Sequence, residues 1–349
     1  RIILYYHSQI NFGKDTQMKN NDIRILFLAK YAPDSINSPL PSGIEDTLYA
    51  EYHYDIYNIL YNNFHDIIST NNIDSYVQKR PEVDYIFSLY NRLPFRNSEI
   101  FVSSLAEYYN IAYLGARPNI RSIAEDKHLA KMQAKHVGLN TPNWCTYNVN
   151  QIINSIPFDG PYFVKPRYGA SSMNIDSTCF CDNLHDVQNK AIQFYDKNID
   201  IIVEQFIEGT SITVPILNNF GETKVLPFVI ENSNLNYNVI TYKQKRKITS
   251  GLTRTVNTDR SMQNQIEKIS TAFFESIQPL DYTRIDYIID SNGEPYFIEF
   301  NVCCNLGKHA AINMAAQNIG ITYSELINNI LYSSLYRQDL IDSFLGQKL

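Results

Sequence analysis

No stretch of this 349-residue sequence approaches the ~20 consecutive apolar residues of a membrane-spanning helix, which argues against a helical membrane protein. The opening RIILYYHSQINF also lacks the apolar run and small-residue cleavage site of a signal peptide, so a cytoplasmic location is expected. Arg1 stands where a complete chain would carry Met, and a trimmed start is the simplest reading. Basic charge is scarce too. A net charge of −6 and a pI near 5.7 exclude a general nucleic-acid or membrane-surface binder, because phosphate backbones and anionic lipids demand clustered Lys and Arg. Only Lys243 to Lys247, KQKRK, runs basic. The five cysteines (Cys145, Cys179, Cys181, Cys303, Cys304) form no C-x-x-C pair and are odd in number, so neither a zinc site nor a disulfide framework is implied. The order GxxxxGK[ST] is missing, which removes the Walker P-loop.

What remains is an ordinary globular composition, 44% hydrophobic and 19% charged, in a chain long enough for two or three domains. Strand-like runs at Ile23 to Ala29 and Asp84 to Leu89 alternate with helical patterns at Glu45 to Asn62 and Phe101 to Tyr109, followed by a short strand at Ile111 to Leu114. That alternation predicts an α/β unit with a parallel sheet over residues 1–121. Pro39, Pro41 and Gly43 mark a loop beyond its first strand, where open parallel sheets bind ligands, and Glu45 there is either a holder of a substrate amine or a helix-start acid.

The stretch Arg284 to Asn301, RIDYIIDSNGEPYFIEFN, reads as two strands turning at Ser291-Asn292-Gly293. Period-two alternation puts Arg284, Asp286, Glu299 and Asn301 on polar faces, and folding at the turn brings Asp286 opposite Glu299. Two carboxylates and an amide oxygen then converge, a hard donor set for Mg²⁺, or for Mn²⁺ in its place, that leaves positions for water and substrate phosphates. The alternative is a strand pair with a solvated polar face.

Three further segments carry related chemistry. A helix predicted from Ile123 to Val137 holds Asp126 and Lys127 in its first turn, where the dipole disfavours a lysine unless it meets a phosphate. Tyr162 to Ile175, YFVKPRYGASSMNI, is a strand bearing Lys165 and a small-residue turn with Ser171 and Ser172, where backbone N–H groups can approach phosphate oxygens. Asp200 to Ile207 is an apolar strand that ends at Glu204-Gln205-Phe206-Ile207, where a base can pair with the backbone. Strand runs at Ser211 to Leu217 and Lys224 to Ile230 follow, then a polar, patternless segment over residues 232–255, which suggests a functional loop. Helices are predicted over residues 259–277, Ala310 to Ile319 and Tyr323 to Tyr336.

In the order Lys127, Lys165 loop, Glu204 strand and Arg284 hairpin, the chain resembles the ATP-grasp superfamily, most closely the D-alanine–D-alanine ligase group, over roughly residues 80–335. An A-x-D-K helix start matches Ala124 to Lys127, V-K-P matches Val164 to Pro166, and R-x-D and E-x-N match Arg284, Asp286, Glu299 and Asn301. The resemblance implies an ATP-grasp fold: an N-terminal parallel α/β domain (1–121), a central lid subdomain (122–210) and a C-terminal antiparallel-sheet subdomain (211–349), with ATP between the last two. It implies a ligase that phosphorylates a carboxylate with ATP and lets an amine attack the acylphosphate. The ATP site would comprise Lys127, Lys165, Ser171, Ser172, Glu204, Gln205, Phe206, Ile207, Ser211 and Ile298. Asp286, Glu299 and Asn301 would hold Mg²⁺, Arg284 the oxyanion, Ser171 the first substrate or transferred phosphate, and Lys243 would act from the closing loop. Dimerisation through the first domain is expected on the same ground.

The chain departs from that pattern at telling places. Both lid glycines are replaced, by Ala170 and Asn174, and Ser211 stands where a carboxylate grips the ribose. The family serine that receives the second substrate's carboxylate falls on Ala310, which points to an acceptor other than D-alanine, with Lys308 or His309 reading a different group. The substrates expected are an amino acid or small peptide and an amine. The competing readings are a nucleotide-binding protein without turnover and a true D-alanine–D-alanine ligase.

Overall fold

A computed structural model describes residues 23–43, 46–79, 82–90, 98–169, 172–241, 244 and 250–342. The first unit holds β1 (Ile25–Leu28), α1 (Thr47–Asn63), β2 (Ile67–Thr70), α2 (Ile73–Lys79), β3 (Tyr85–Ser88), α3 (Phe101–Tyr109) and β4 (Ala112–Tyr113). Its four strands are parallel in the order β2-β1-β3-β4, and all four residues of β1 are buried, as expected for a strand covered on both faces. The sequence pattern foresees β1, β3, α1 and α3. It misses β2 and α2, whose few residues carry no clear period.

The helix predicted over Ile123 to Val137 is two helices, α4 (Pro118–Glu125) and α5 (Lys127–His136), broken at the extended residue Asp126. Asp126 caps α5 by accepting from the His128 N–H, and Arg167 grips the same carboxylate bidentately at 2.7 and 3.0 Å. A tertiary ion pair thus decides a break that periodicity leaves open.

A second sheet follows, β5 (Trp144–Tyr147), β6 (Tyr162–Pro166), β7 (Phe180–Cys181) and β8 (Ile201–Gln205), antiparallel in the order β5-β8-β6-β7 and backed by α6 (Leu184–Tyr195). The third sheet comprises β9 (Gly209–Asn219), β10 (Glu222–Val225), β11 (Val229–Ser233), β12 (Leu252–Val256), β13 (Tyr282–Asp290) and β14 (Pro295–Asn301), in the order β12-β11-β9-β13-β14 with β10 on β9. The segment predicted as a loop over 232–255 therefore begins and ends in the paired strands β11 and β12. Alternate residues of β12 face solvent, which erases the apolar contrast a sequence reading needs. Gly209 starts β9 opposite Asp290, where a Cβ would sit 2.2 Å from the Ile289 carbonyl, so only glycine lets the strands meet there. The remaining helices are α7 (Arg260–Ser276), α8 (Ala311–Asn318) and α9 (Tyr323–Arg337).

Residues of α8 and α9 share one apolar core with β1, β3 and α1, while α4, α5 and α7 share another with β9, β13 and β14. A buried clasp ties the first core. Arg337 grips Asp281 at 2.7 and 3.2 Å, and the same carboxylate accepts from the Gly115 N–H and the Ser334 hydroxyl.

Candidate active site

The hairpin β13–β14 pairs Asp286 with Glu299 and Arg284 with Asn301, with a bulge just after Asp286 beyond which the ladder resumes one residue out of step, at Tyr287 opposite Phe297. The turn holds because Asp290 accepts from the Asn292 and Glu294 N–H groups while Gly293 takes the left-handed region at φ 83°. Arg284 Nη2 donates to Asp286 Oδ2 at 2.9 Å, and the Thr213 hydroxyl donates to Asp286 Oδ1 at 2.9 Å. Burial works against the Arg284 charge, yet Asp286, Glu231 and Glu299 hold its pKa above the ordinary value. Arg284 Nε and Asn301 Nδ2 are buried without a hydrogen-bond partner among the described residues, as in a site completed by a ligand.

Lys127 opens α5 beneath the turn that follows β6. Its ammonium donates to the Gly169 carbonyl and lies 3.9 Å from Glu299 Oε2. The turn is stitched to the α4–α5 junction by Lys127 N–H to Arg167 O and Gly169 N–H to Glu125 O, which fixes the lysine beside the phosphate-binding candidate. Ser172 and Asn174 both take left-handed backbone there, at φ 54° and 60°, so Asn174 supplies without glycine the conformation that a lid turn needs.

Between the second and third sheets lies an open cleft of about 930 Å³. Lys165, Ser172, Glu204, Gln205, Phe206, Ile207, Ser211, Asp286, Ile298 and Glu299 all line it. Lys127 lines the adjoining space with Tyr168, Gly169 and Ser172. The predicted nucleotide residues therefore converge wherever they are described. Glu45, Ser171 and Lys243 lie outside the described residues. Lys308 and His309 are not among the cleft-lining groups: Lys308 pairs with Asp55 of α1 at 2.9 Å, and His309 Nε2 lies 3.3 Å from Asn305 Nδ2.

Two expectations change in detail. The N–H groups of Gln205 and Phe206 already donate to Asn143 O and Pro161 O, so a base would be met by other groups of this strand end. Glu204 does not offer its carboxylate to the cleft alone but shares it between Lys165 at 2.9 Å and Lys131 at 3.0 Å. Burial alone would raise the Glu204 pKa, and the two lysines overcome it and hold the group below the usual carboxylate range. The sequence reading misses Lys131, although its position one helical turn after Lys127 puts both on one face of α5. It also misses Thr213, the pair of buried Glu231 with half-buried Arg254 at 2.7 Å, and Tyr237, which stacks on Phe180 at 3.8 Å beside the cleft.

The residues present fit a divalent cation shared with a substrate. Among the described residues no three His, Cys, Asp or Glu side chains converge into a self-sufficient metal site. Two carboxylates, an amide and several nearby cations suit an ion whose remaining ligands are phosphate oxygens. Also among the described residues, no helix is long and apolar enough to cross a membrane.

A small antiparallel sheet closing on a larger one, over a cleft lined by lysines and a carboxylate hairpin, defines an ATP-grasp ligase architecture. Residues 130–332 match the family model described as D-ala D-ala ligase C-terminus, and the chain belongs to that family. It is accordingly a ligase of the kind that makes a carbon–nitrogen bond with ATP and Mg²⁺. D-alanine–D-alanine ligase B of Clostridium perfringens is 28% identical over 242 residues, 68% of this chain and 76% of the relative. The D-alanine–D-alanine ligase of Aquifex aeolicus is 26% identical over 66% of this chain and 76% of its own length. Among solved structures, the ATP-complexed D-alanine–D-alanine ligase of Bacillus anthracis superposes with a TM-score of 0.69 at 18% identity, covering 91% of this chain and 99% of that one. The VanG D-Ala:D-Ser ligase of Enterococcus faecalis gives 0.66 at 16% identity, over 90% and 100%.

Proposed function

We propose that this protein joins the carboxylate of an amino acid or small peptide to an amine other than D-alanine, through an acylphosphate formed with ATP. The observation that carries the acceptor reading is Ala310. It precedes α8 as the cap residue, in extended backbone and with no side-chain hydrogen bond, at the position where a serine would receive an acceptor carboxylate. The neighbouring segment is tied down by its own contacts, Asn305 to Gly307 and Lys308 to Asp55.

In this reading Lys127 and Lys165 neutralise the charge that spreads over the transferred phosphoryl group, and Arg284 holds the oxyanion that develops when the amine adds. Asp286, Glu299 and Asn301 would hold Mg²⁺, which when bound would supply charge neutralisation of the phosphates. Thr213 and Arg284 orient Asp286 for that task. Residues 234–241 after β11, with Tyr237 against Phe180, exclude water that would hydrolyse the acylphosphate.

The names of the curated relatives favour a second reading, a D-alanine–D-alanine ligase. Phosphate release from ATP and Mg²⁺ against a panel of L- and D-amino acids, with mass spectrometry of the products, separates the two. A mixed amide that forms where D-alanine alone gives none supports the proposal. D-alanyl-D-alanine from D-alanine alone overturns it in favour of the second reading.

A further inference from the structure

We propose that Lys131, which lines no part of the cleft, is the positioning residue that lets Lys165 exchange a protein carboxylate for a nucleotide phosphate. The inference rests on the ligase reading above, in which Lys165 meets a phosphate. Lys131, Lys165 and Glu204 are 0%, 3% and 4% exposed. Lys131 Nζ lies 3.0 Å from Glu204 Oε1 and Lys165 Nζ 2.9 Å from Oε2, so two ammonium groups share one carboxylate and leave one positive charge in excess. A buried surplus cation is stable only beside a further anion.

The two lysines are not equivalent. Lys165 and Glu204 line the cleft, whereas Lys131 stands behind its wall. Lys131 also donates to the Thr141 hydroxyl at 2.8 Å, Thr141 donates to the Phe297 carbonyl of β14 at 2.8 Å, and the Lys131 ammonium lies 5.8 Å from the Trp144 ring. The cleft-side cation is therefore the one an incoming phosphate can draw away, and the wall-side cation is the one that stays. Without Lys131, every step of Lys165 toward a phosphate would strand the Glu204 carboxylate in a site shut from water, and that desolvation would hold Lys165 back. With Lys131 in place the carboxylate keeps a partner throughout. Burial draws Lys131 down to about 8, with Glu204 opposing the shift, so the ammonium persists at neutral pH.

The test compares wild type, Lys131→Met, Glu204→Gln and the double variant Lys131→Met/Glu204→Gln by equilibrium binding of ATP and by steady-state kinetics with ATP and amino acid varied separately. Lys131→Met is expected to weaken ATP binding by about tenfold or more with the KM for amino acid unchanged, because Glu204 then captures Lys165. In the Glu204→Gln background, whose own ATP affinity sets the baseline, adding Lys131→Met is expected to change that affinity by less than about threefold, which a loss of packing could not explain. Wild-type affinity in Lys131→Met, or a tenfold loss on adding Lys131→Met to Glu204→Gln, overturns the proposal. A Lys131→Met protein that fails to fold leaves Glu204→Gln and the double variant, whose one lysine faces a neutral amide, to decide, and a tenfold loss between those two overturns the proposal. Wild type that binds no ATP would sink the ligase reading itself, an outcome distinct from either.

Discussion

His53 makes this fold sensitive to acid by an amount that follows from its surroundings. The residue is fully buried on α1, with the rings of Tyr52, Tyr49 and Tyr31 centred 4.4, 5.5 and 5.9 Å away. Its Nδ1 accepts from the Tyr31 N–H at 3.2 Å, which assigns the ring proton to Nε2 in the neutral form. Burial first, and then the charge of Lys30, push the imidazole down to about 3. The unfolded chain takes up a proton near its ordinary value of about 6.5 and the native chain refuses it, so this contribution is whole above that value and is lost as pH falls toward the folded one. Between pH 7 and pH 5 the loss is about 2 kcal/mol, set almost entirely by the unfolded value as long as the folded one lies about a unit or more below pH 5. Urea midpoints at three pH values across that range, for wild type and His53→Asn, measure it. The asparagine oxygen can still accept from Tyr31, so the variant carries a constant offset from lost packing but should lose about 2 kcal/mol less over the same range. Parallel curves for the two proteins would mean that native His53 takes up the proton as readily as the unfolded chain, and would refute the reasoning.

Asp286→Asn and Glu299→Gln should each abolish phosphate release while leaving the circular dichroism spectrum unchanged, and full activity in both would remove the cation assignment. Lys165→Ala should weaken ATP binding by about tenfold, as loss of a charge-assisted contact does, and calorimetry showing wild-type affinity would contradict its phosphate role. Arg337→Met leaves Asp281 buried with only the Gly115 and Ser334 donors, at a cost of about 3 kcal/mol in chemical denaturation. Adding Asp281→Asn should recover about half of that loss, and no recovery would mean that Arg337 contributes through packing alone.

The hairpin was legible because its signals are local. Period-two alternation and an Asn-Gly turn bring four polar residues together whatever the rest of the chain does. Lys165 was legible for the same reason, as a lysine at a strand end before a small-residue turn. Lys131 was not, because a lysine on an amphipathic helix defaults to solvent, and its partner Glu204 lies 73 positions away on another sheet. The break at Asp126 was hidden likewise, since Arg167, which fixes that residue, arrives only with β6. Ser211 shows a third kind of limit. Its hydroxyl lies 3.4 Å from Asn238 Nδ2, a polar pair that no single position announces.

Charge accounting explains why the residues that were missed matter to those that were found. Around the cleft Lys127 lies beside Glu299 and Arg284 pairs with Asp286, while Lys131 and Lys165 share the one carboxylate of Glu204, so the surplus of positive charge sits at that triad before any substrate arrives. Glu231 and Arg254 balance each other beside them and leave that surplus unchanged. A surplus of positive charge held at low exposure attracts a polyanion. Placing Lys131 behind the wall divides the labour: one cation keeps the protein's own carboxylate satisfied while Lys165 follows charge as it moves between phosphate and product. The site therefore depends on a residue that no substrate touches, and its tuning lies in the order in which three buried charges exchange partners.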